Sequence, residues 1–522
     1  MEFIPYLAPP RDLSTARDPA STREGASPVI PIVIVAVAAV LRFGWIGQHN
    51  VWADEAFVAS AVRLNWRDLF AWLARADAHP PLYYALVKGW TSIAGSGEVA
   101  LRVPSACAST VSVLLTYVLA RHAVSERVAC IGALLVALSP FHIMAGQQAR
   151  MYPLLSALAV AATIVLADSV ERGSPARWGA YVLLATLMIY THYLGILVLV
   201  AHGVWISMRG RRWIGAWLAA MAAAAVLYLP WSFALAARAS DAVHVGRSAD
   251  SIVPYLTPDA LLALLAFGGS LFGTASYWDA GVSRPVEHAA ALLPFAALLA
   301  WGIVALWPRR QALTLIALPL IVPVVIATPI SLATPLLWPR AFSFLEPFFA
   351  LLLAQGMTAA AQAAGRHRDR ALLLLLIGVL AFQAPVLARY YVDPSARPYH
   401  WRAAAAWVAG EARPGDYFLY VGEPPRDAFI YYYQPPYPSR TLQLHRGPRP
   451  TFTPDTARQL ATQYQRVWLI LSTPFGPTNG AVRRQLLPAL SGAFRVRAGR
   501  EFNQVWVYLL EPSRVAPQSA AP

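Results

Sequence analysis

Long apolar runs recur from residue 29 to residue 388, and they restrict this chain to a fold built across a lipid bilayer. A hydrocarbon core of about 30 Å needs roughly 20 consecutive apolar residues in a helix. In lipid every backbone polar group must be satisfied within the segment, so runs of this kind fold as helices. Candidate spans lie at 29–45, 100–120, 128–145, 153–170, 178–191, 193–208, 213–233, 287–307, 312–332, 341–359 and 371–388. Only 13% of the residues are charged, about half the roughly 25% of a soluble chain. The expected fold class is an α-helical polytopic membrane protein with about eleven transmembrane helices. The run from Val29 to Trp45 is too long for a signal peptide and reads as a retained first span.

Arginine gives the topology. Loops on the cytoplasmic side are enriched in basic residues. Arg121 and Arg127, Arg172 and Arg177, Arg209 to Arg212, Arg309 and Arg310, and Arg366 to Arg370 all fall on one side if the span count holds. The loops 48–98 and 234–286, the turn at Arg150 and the C-terminal tail fall on the other. The same scatter between spans argues against nucleic acid as the partner of a chain with net charge +15. Cys107 and Cys130 both sit in apolar spans, so neither a disulfide framework nor a cysteine metal site is expected.

Outside the spans the composition changes. Residues 1–28 are polar and proline-rich and read as a disordered cytoplasmic tail. Residues 56–78 carry Leu69, Phe70 and Leu73 on one face of an expected interfacial helix. The apolar stretch 258–273 is short for a span and is expected to lie on or dip into the membrane. From 393 to 522, short aromatic and β-branched runs (Tyr417–Val421, Val467–Leu471) alternate with helical patterns (Trp401–Glu411, Pro454–Tyr464). That alternation predicts a small extracytoplasmic α/β domain.

Chemistry concentrates beside the first span. Asp54 and Glu55 are adjacent acids at its mouth, and His79-Pro80-Pro81 closes the same loop. Ionisable groups at a bilayer surface are expensive to desolvate and mark functional sites. One acid can cap a helix N-terminus; the other can take a proton from an acceptor hydroxyl or bind a divalent cation through oxygen. His79 can serve as a phosphate or metal ligand or as a cap, and Tyr83 and Tyr84 as interfacial belt residues or ligand contacts. Arg150, near Tyr152 in the turn from Gln147 to Pro153, either snorkels to headgroups or pairs with an anionic phosphate. Lys88 and Arg340 pose the same choice, whereas Arg42 reads as a snorkelling anchor.

The order of these pieces resembles the GT-C superfamily of integral-membrane glycosyltransferases. It is most like the bacterial branch related to protein O-mannosyltransferases and to the enzymes that add aminoarabinose to lipid A. The points of likeness are Asp54-Glu55, the HPPLYY segment from His79, Arg150 with Tyr152 and Leu154, and Thr191-His192-Tyr193. Pro339-Arg340 with Glu346-Pro347, Tyr399 to Arg402, and Pro414-Gly415-Asp416 continue the series. The resemblance implies a GT-C-like transmembrane catalytic domain over 29–392 in a bacterial inner (plasma) membrane. It also implies a polyprenyl-phosphate sugar donor, an envelope acceptor, and inverting transfer outside the cytoplasm. Asp54 then takes the place of the catalytic carboxylate, as base or metal ligand, with Glu55 in support. His79 lies near the donor phosphate or a divalent metal cation, and Arg150 near the phosphate. Lys88, Tyr152 and Arg340 become further donor contacts. Relatives often carry Glu where this chain has Gln148, and an amide neither acts as a base nor carries charge, which puts a second acid and a metal site in doubt.

A secondary transporter or flippase is the rival reading. It calls for ionisable groups near span centres and often for inverted repeats. The span centres read as almost bare of charge and no repeat is visible. A non-catalytic scaffold leaves the pairing of Asp54-Glu55 with His79-Pro80-Pro81 unexplained.

Overall fold

The computed structural model describes residues 28–76, 79–239, 285–331, 339–393, 399–442, 452–472, 482 and 486–513. The expected tail up to residue 27, the stretch 258–273 and most of the loop 234–286 lie outside the described residues.

Every expected span is helical. In chain order the helices are α1 (Val29–Phe43), α2 (Ala53–Arg63), α3 (Trp66–Ala76), α4 (Leu82–Ala94), α5 (Glu98–Ala123), α6 (Glu126–Leu138), α7 (Pro140–Gly146) and α8 (Tyr152–Arg172). They continue as α9 (Pro175–Thr191), α10 (Gly195–Arg209), α11 (Arg211–Ala239), α12 (Pro285–Leu306), α13 (Arg310–Ser331), α14 (Glu346–Ala363) and α15 (Arg368–Val392). Among the described residues six helical segments are long and apolar enough to cross a membrane, and α6 with α7 makes a seventh. That is four fewer than the expected eleven because α1, α9 and α10 have only 15, 17 and 15 residues and α12 counts only over Leu293–Leu306, short of the roughly 20 a full crossing takes. The α6–α7 pair bends by 61°. Pro140 has no N–H to continue α6, and the Ser139 hydroxyl instead caps α7 by accepting from the His142 N–H at 3.3 Å.

Contacts between loops fix which ends of the helices lie together. Arg309 donates to the Val124 carbonyl at 3.3 Å, Arg127 pairs with Asp369 at 3.6 Å, and Arg177 pairs with Asp168 at 3.9 Å. These arginine-bearing loops gather at one end of the bundle, as their spacing requires. Asp54, Arg150 and Arg340 gather at the other.

The stretch 56–78 is not one helix. It breaks at Leu64, and the Asn65 side chain restarts the chain by accepting from the Asp68 N–H at 2.9 Å. Leu69 and Leu73 are buried one turn apart, but Phe70 is 40% exposed and stacks on Trp66. Phe70 lies about 100° round the helix from Leu69, at the exposed edge of the apolar face that Leu69 and Leu73 bury.

Helices α12 and α14 touch through glycine. A Cβ on Gly356 would lie 1.8 Å from the Leu298 carbonyl oxygen, and one on Gly302 would lie 2.2 Å from that of Leu352. Small residues let membrane helices approach to backbone contact. Gly356→Ala should therefore push the pair apart and lower stability by about 1–3 kcal/mol, the usual range for overpacking. Thermal unfolding in detergent measures it; an unchanged transition would contradict the contact.

Beyond α15 lies a five-stranded mixed sheet of β1 (Tyr417–Val421), β2 (Ser439–Leu442), β3 (Val467–Ser472), β4 (Phe494–Glu501) and β5 (Val505–Pro512) in the order β2-β1-β3-β5-β4. Strand β1 runs parallel to β2 and β3, while β5 is antiparallel to β3 and β4. Strands β1 and β3 are buried throughout and read as continuous apolar runs. Helices α16 (Trp401–Glu411) and α17 (Glu423–Tyr432) cover one face, and α18 (Pro454–Gln463) and α19 (Leu487–Ser491) cover the other. The core under α16 and α17 includes Val51 and Ala56, which belong to the loop after α1 and to α2. The sheet unit thus rests directly on the helix that carries Asp54 and Glu55.

Candidate active site

Helix α2 begins at Ala53, so both acids lie in its first turn, where the helix dipole favours negative charge. One residue of separation turns them about 100° apart. Glu55 points into the bundle and is 1% exposed. Its Oε1 accepts from Arg102 Nε at 2.7 Å and from the Ala149 N–H at 2.8 Å. Its Oε2 accepts from Arg102 Nη2 at 2.6 Å and from the Trp52 N–H at 3.4 Å. Glu55 is thereby locked as a structural ligand of Arg102 and a cap of α2.

Asp54 faces the opening, with its side chain 28% exposed. Arg150 Nη2 lies 3.7 Å and Arg340 Nη2 lies 3.4 Å from its Oδ2. Both exceed the roughly 2.7–2.9 Å of a charge-assisted hydrogen bond. The carboxylate is therefore flanked by two cations but not clamped.

Arg150 is held from behind. Its N–H donates to Ser105 Oγ at 3.3 Å, and that hydroxyl donates back to the Arg150 carbonyl at 2.8 Å. Tyr83 meets the same Ser105 at 2.7 Å. Tyr83 and Tyr84 are fully buried, hence neither interfacial belt residues nor exposed ligand contacts. The neighbouring Gln147 amide donates to the Leu41 and Gly44 carbonyls at 2.9 and 2.8 Å. The Arg150 guanidinium lies 5.5 Å from the Tyr152 ring. Burial works to lower its pKa, but Asp54, Tyr152 and Tyr84 outweigh burial and hold it well above the ordinary arginine value. Its Nε is buried without an acceptor among the described residues. Arg340 completes the group, 5.1 Å from the Trp52 ring.

His79 joins through aromatic contacts. Its ring lies 5.2 Å from that of His192, which lies 5.9 Å from that of Tyr152. The structure therefore brings Asp54, Arg150, Tyr152 and Arg340 together, with His79 at one remove.

Known proteins match this fold. Residues 78–233 match the family described as dolichyl-phosphate-mannose-protein mannosyltransferase. No curated protein sequence matches the chain. ArnT from Cupriavidus metallidurans in the apo state superposes over 92% of this chain and 97% of its own, with a TM-score of 0.59 at 15% identity. The same protein bound to undecaprenyl phosphate gives 0.56 at 14% over the same shares. The archaeal oligosaccharyltransferase AglB from Archaeoglobus fulgidus, in complex with an inhibitory peptide and a dolichol-phosphate, gives 0.54 at 12%, over 84% of this chain and 69% of its own. The fold of this chain is the one these structures share.

Within this bundle one expected contact falls away. Lys88 Nζ donates to the Val62 carbonyl at 3.0 Å and to that of Leu64, the last carbonyls of α2, and lies 5.3 Å from the Trp66 ring. Ten residues of helix put it about 15 Å from Asp54. Lys88 caps the negative end of the helix dipole instead of meeting a donor phosphate. Lys88→Met should lower stability by about 1 kcal/mol and leave the donor KM unchanged; a several-fold rise in KM would return Lys88 to the site.

Sequence reasoning also missed residues. Arg42 is fully buried, not snorkelling: it donates to Ser109 Oγ at 2.6 Å and to the Val136 and Ala137 carbonyls at 3.0 Å each. Arg102 and Glu346 are buried as well. Arg42 lies in the last turn of α1, Arg102 early in α5, and Glu346 in the first turn of α14. These are helix ends, not the span centres that the transporter reading needs. A charge inside an apolar run was the signal available for each.

Around Asp54 the charged groups among the described residues are mostly cations. Asp54 and His79 offer two ligand atoms, Gln148 brings no charge, and two guanidinium groups already face the carboxylate. Among the described residues the one group able to share a cation is His122, Asp168 and Glu171, at the opposite end of the bundle. Two arginines, Arg172 and Arg177, already pair with its Asp168.

Proposed function

We propose that this chain is a GT-C glycosyltransferase that moves a sugar from a polyprenyl-phosphate carrier to an envelope acceptor on the extracytoplasmic side of a bacterial plasma membrane, with inversion. The observation that carries this reading is the loosely paired, half-open Asp54 carboxylate between Arg150 and Arg340. The ligands named for the ArnT and AglB structures support the lipid-phosphate class of donor. The arginine-bearing loops at the far end support placing Asp54 outside.

The chemistry follows from the geometry. The acceptor hydroxyl attacks the anomeric carbon from the side opposite the phosphate, and Asp54 takes its proton. The bond from the anomeric carbon to the phosphate oxygen breaks, and its electron pair leaves with the lipid phosphate. Arg150 and Arg340 stabilise the charge that grows there, and the unpartnered Arg150 Nε–H offers the leaving oxygen a donor. Attack opposite the leaving group inverts the configuration. Glu55 is a positioning residue, holding α2 and the 149–150 turn in register. His79 and Tyr152 line the approach to the phosphate.

The test is transfer of labelled sugar from polyprenyl phosphate by the purified protein and by Asp54→Asn, with a panel of divalent cations and a chelator. Turnover that the variant leaves undiminished would remove Asp54 from the mechanism. A wild type inert towards every polyprenyl-phosphate donor would sink the reading as a whole.

A further inference from the structure

The segment that carries Asp54 is gripped from two sides, and only one grip comes from the membrane bundle. On the bundle side Arg102 donates to the carbonyls of Ile46, His49 and Asn50 at 2.8, 2.8 and 3.1 Å, and binds Glu55. On the other side the grip comes from the C-terminal sheet unit. The Tyr432 hydroxyl, at the end of α17, accepts from the Val51 N–H at 2.6 Å and donates to Glu98 at the start of α5. Arg402 pairs with the same Glu98, donates from its backbone to Asn50 Oδ1 at 3.1 Å, and stands 5.8 Å from the Tyr432 ring. Tyr431 donates to the Ser96 carbonyl at 3.1 Å. Val51 and Ala56, on either side of Asp54, are buried in the same core as Trp401 and Phe429.

We propose that Tyr432 is a positioning residue for Asp54: through it the C-terminal α/β unit fixes the carboxylate's place at the membrane site. This rests on the reading of Asp54 as the base. The geometry singles out Tyr432 within the contact. Arg402 is 53% exposed, and exposed ion pairs contribute little. The Tyr432 hydroxyl spends both of its hydrogen bonds on joining the Asp54 segment, at Val51, to Glu98 in the first turn of α5. Glu98 lies one turn before Arg102, so the two grips meet on one helix and leave Asp54 little freedom. Burial and the bond to Glu98 push the Tyr432 pKa well up, so the phenol stays protonated and keeps its donor.

Tyr432→Phe keeps the ring and deletes the hydroxyl that serves both bonds. It is expected to lower kcat by about 10- to 100-fold, the scale of a misplacement near 1 Å. The donor KM should hold within about twofold, because ground-state binding is untouched. In an Asp54→Asn background the same change should cost less than about twofold, since a residue that acts through Asp54 has nothing left to position. Glu98→Ala should repeat the loss, and Glu98→Gln, which keeps an acceptor for the phenol, should restore most of the rate. Amide exchange gives a readout free of activity: protection across 47–56 should fall by about tenfold in Tyr432→Phe while 153–170 stays unchanged. Equal losses in both backgrounds, or unchanged exchange across 47–56, overturn the proposal. If Tyr432→Phe does not fold, the two Glu98 variants carry the same comparison. A wild type without transfer activity would defeat the functional reading alone, and exchange would still decide the clamp.

Discussion

Asp54→Asn should lower kcat by about 10²- to 10⁴-fold, the range a positioned general base contributes. The substitution is isosteric, so packing at the start of α2 is kept and the loss reports on chemistry. An amide cannot take the acceptor proton, and the attacking oxygen must lose it to water. Binding should move little or improve. The wild-type carboxylate is a negative charge beside the two guanidinium groups that would meet a phosphate, and Asn removes that competitor. The expected signature is therefore a collapsed kcat with an unchanged or lowered donor KM. Glu55→Gln should behave differently. It weakens the pairing with Arg102 deep in the protein, so its first effect is on thermal stability, with activity lost in proportion to folded protein. Full turnover in Asp54→Asn, or identical kinetic behaviour of the two variants, would mean that the roles assigned to these neighbouring acids are wrong.

That division of labour was not legible in the sequence, where Asp54 and Glu55 are one pair. Its origin is helical: about 100° of rotation sends one carboxylate into the bundle and leaves the other at the opening. The spans were legible because the bilayer imposes a length and a composition on each segment, and strands β1 and β3 because buried strands read as apolar runs. Lys88 and Arg340 looked alike, each a cation near an interface. Which of them reaches Asp54 depends on contacts between distant segments, and periodicity carries no trace of these. Arg102 was hidden for the opposite reason. It sits inside an apolar run and was absorbed into a span, although a charge in that setting marks a partner elsewhere. The grip of Tyr432 on Val51 joins residues 381 apart in the chain, beyond any local pattern.

Arg102→Met should produce the largest structural effect of any single change. The guanidinium is 1% exposed and has five N–H groups. Nε donates to Glu55 Oε1, Nη1 to the Ile46 and His49 carbonyls, and Nη2 to the Asn50 carbonyl and Glu55 Oε2. All five are satisfied at 2.6–3.1 Å. Removing one partner of a buried ion pair costs about 3–5 kcal/mol, because the other charge is left uncompensated. Three stranded carbonyls would add about 1–3 kcal/mol each if none found water. Stability of native proteins is only about 5–15 kcal/mol, so Arg102→Met should fail to accumulate as folded protein. Arg102→Lys should be only partly better, since an ammonium has three donors and cannot match the fork. The decisive variant is the double substitution Arg102→Met with Glu55→Gln. It removes the orphaned charge while keeping the volumes, and should recover about 2–3 kcal/mol of the loss. The yield of folded protein from all four, with thermal unfolding in one detergent of those that fold, makes the comparison. Strict additivity, or a stable Arg102→Met, would show that Glu55 and Arg102 do not act as one unit beneath Asp54.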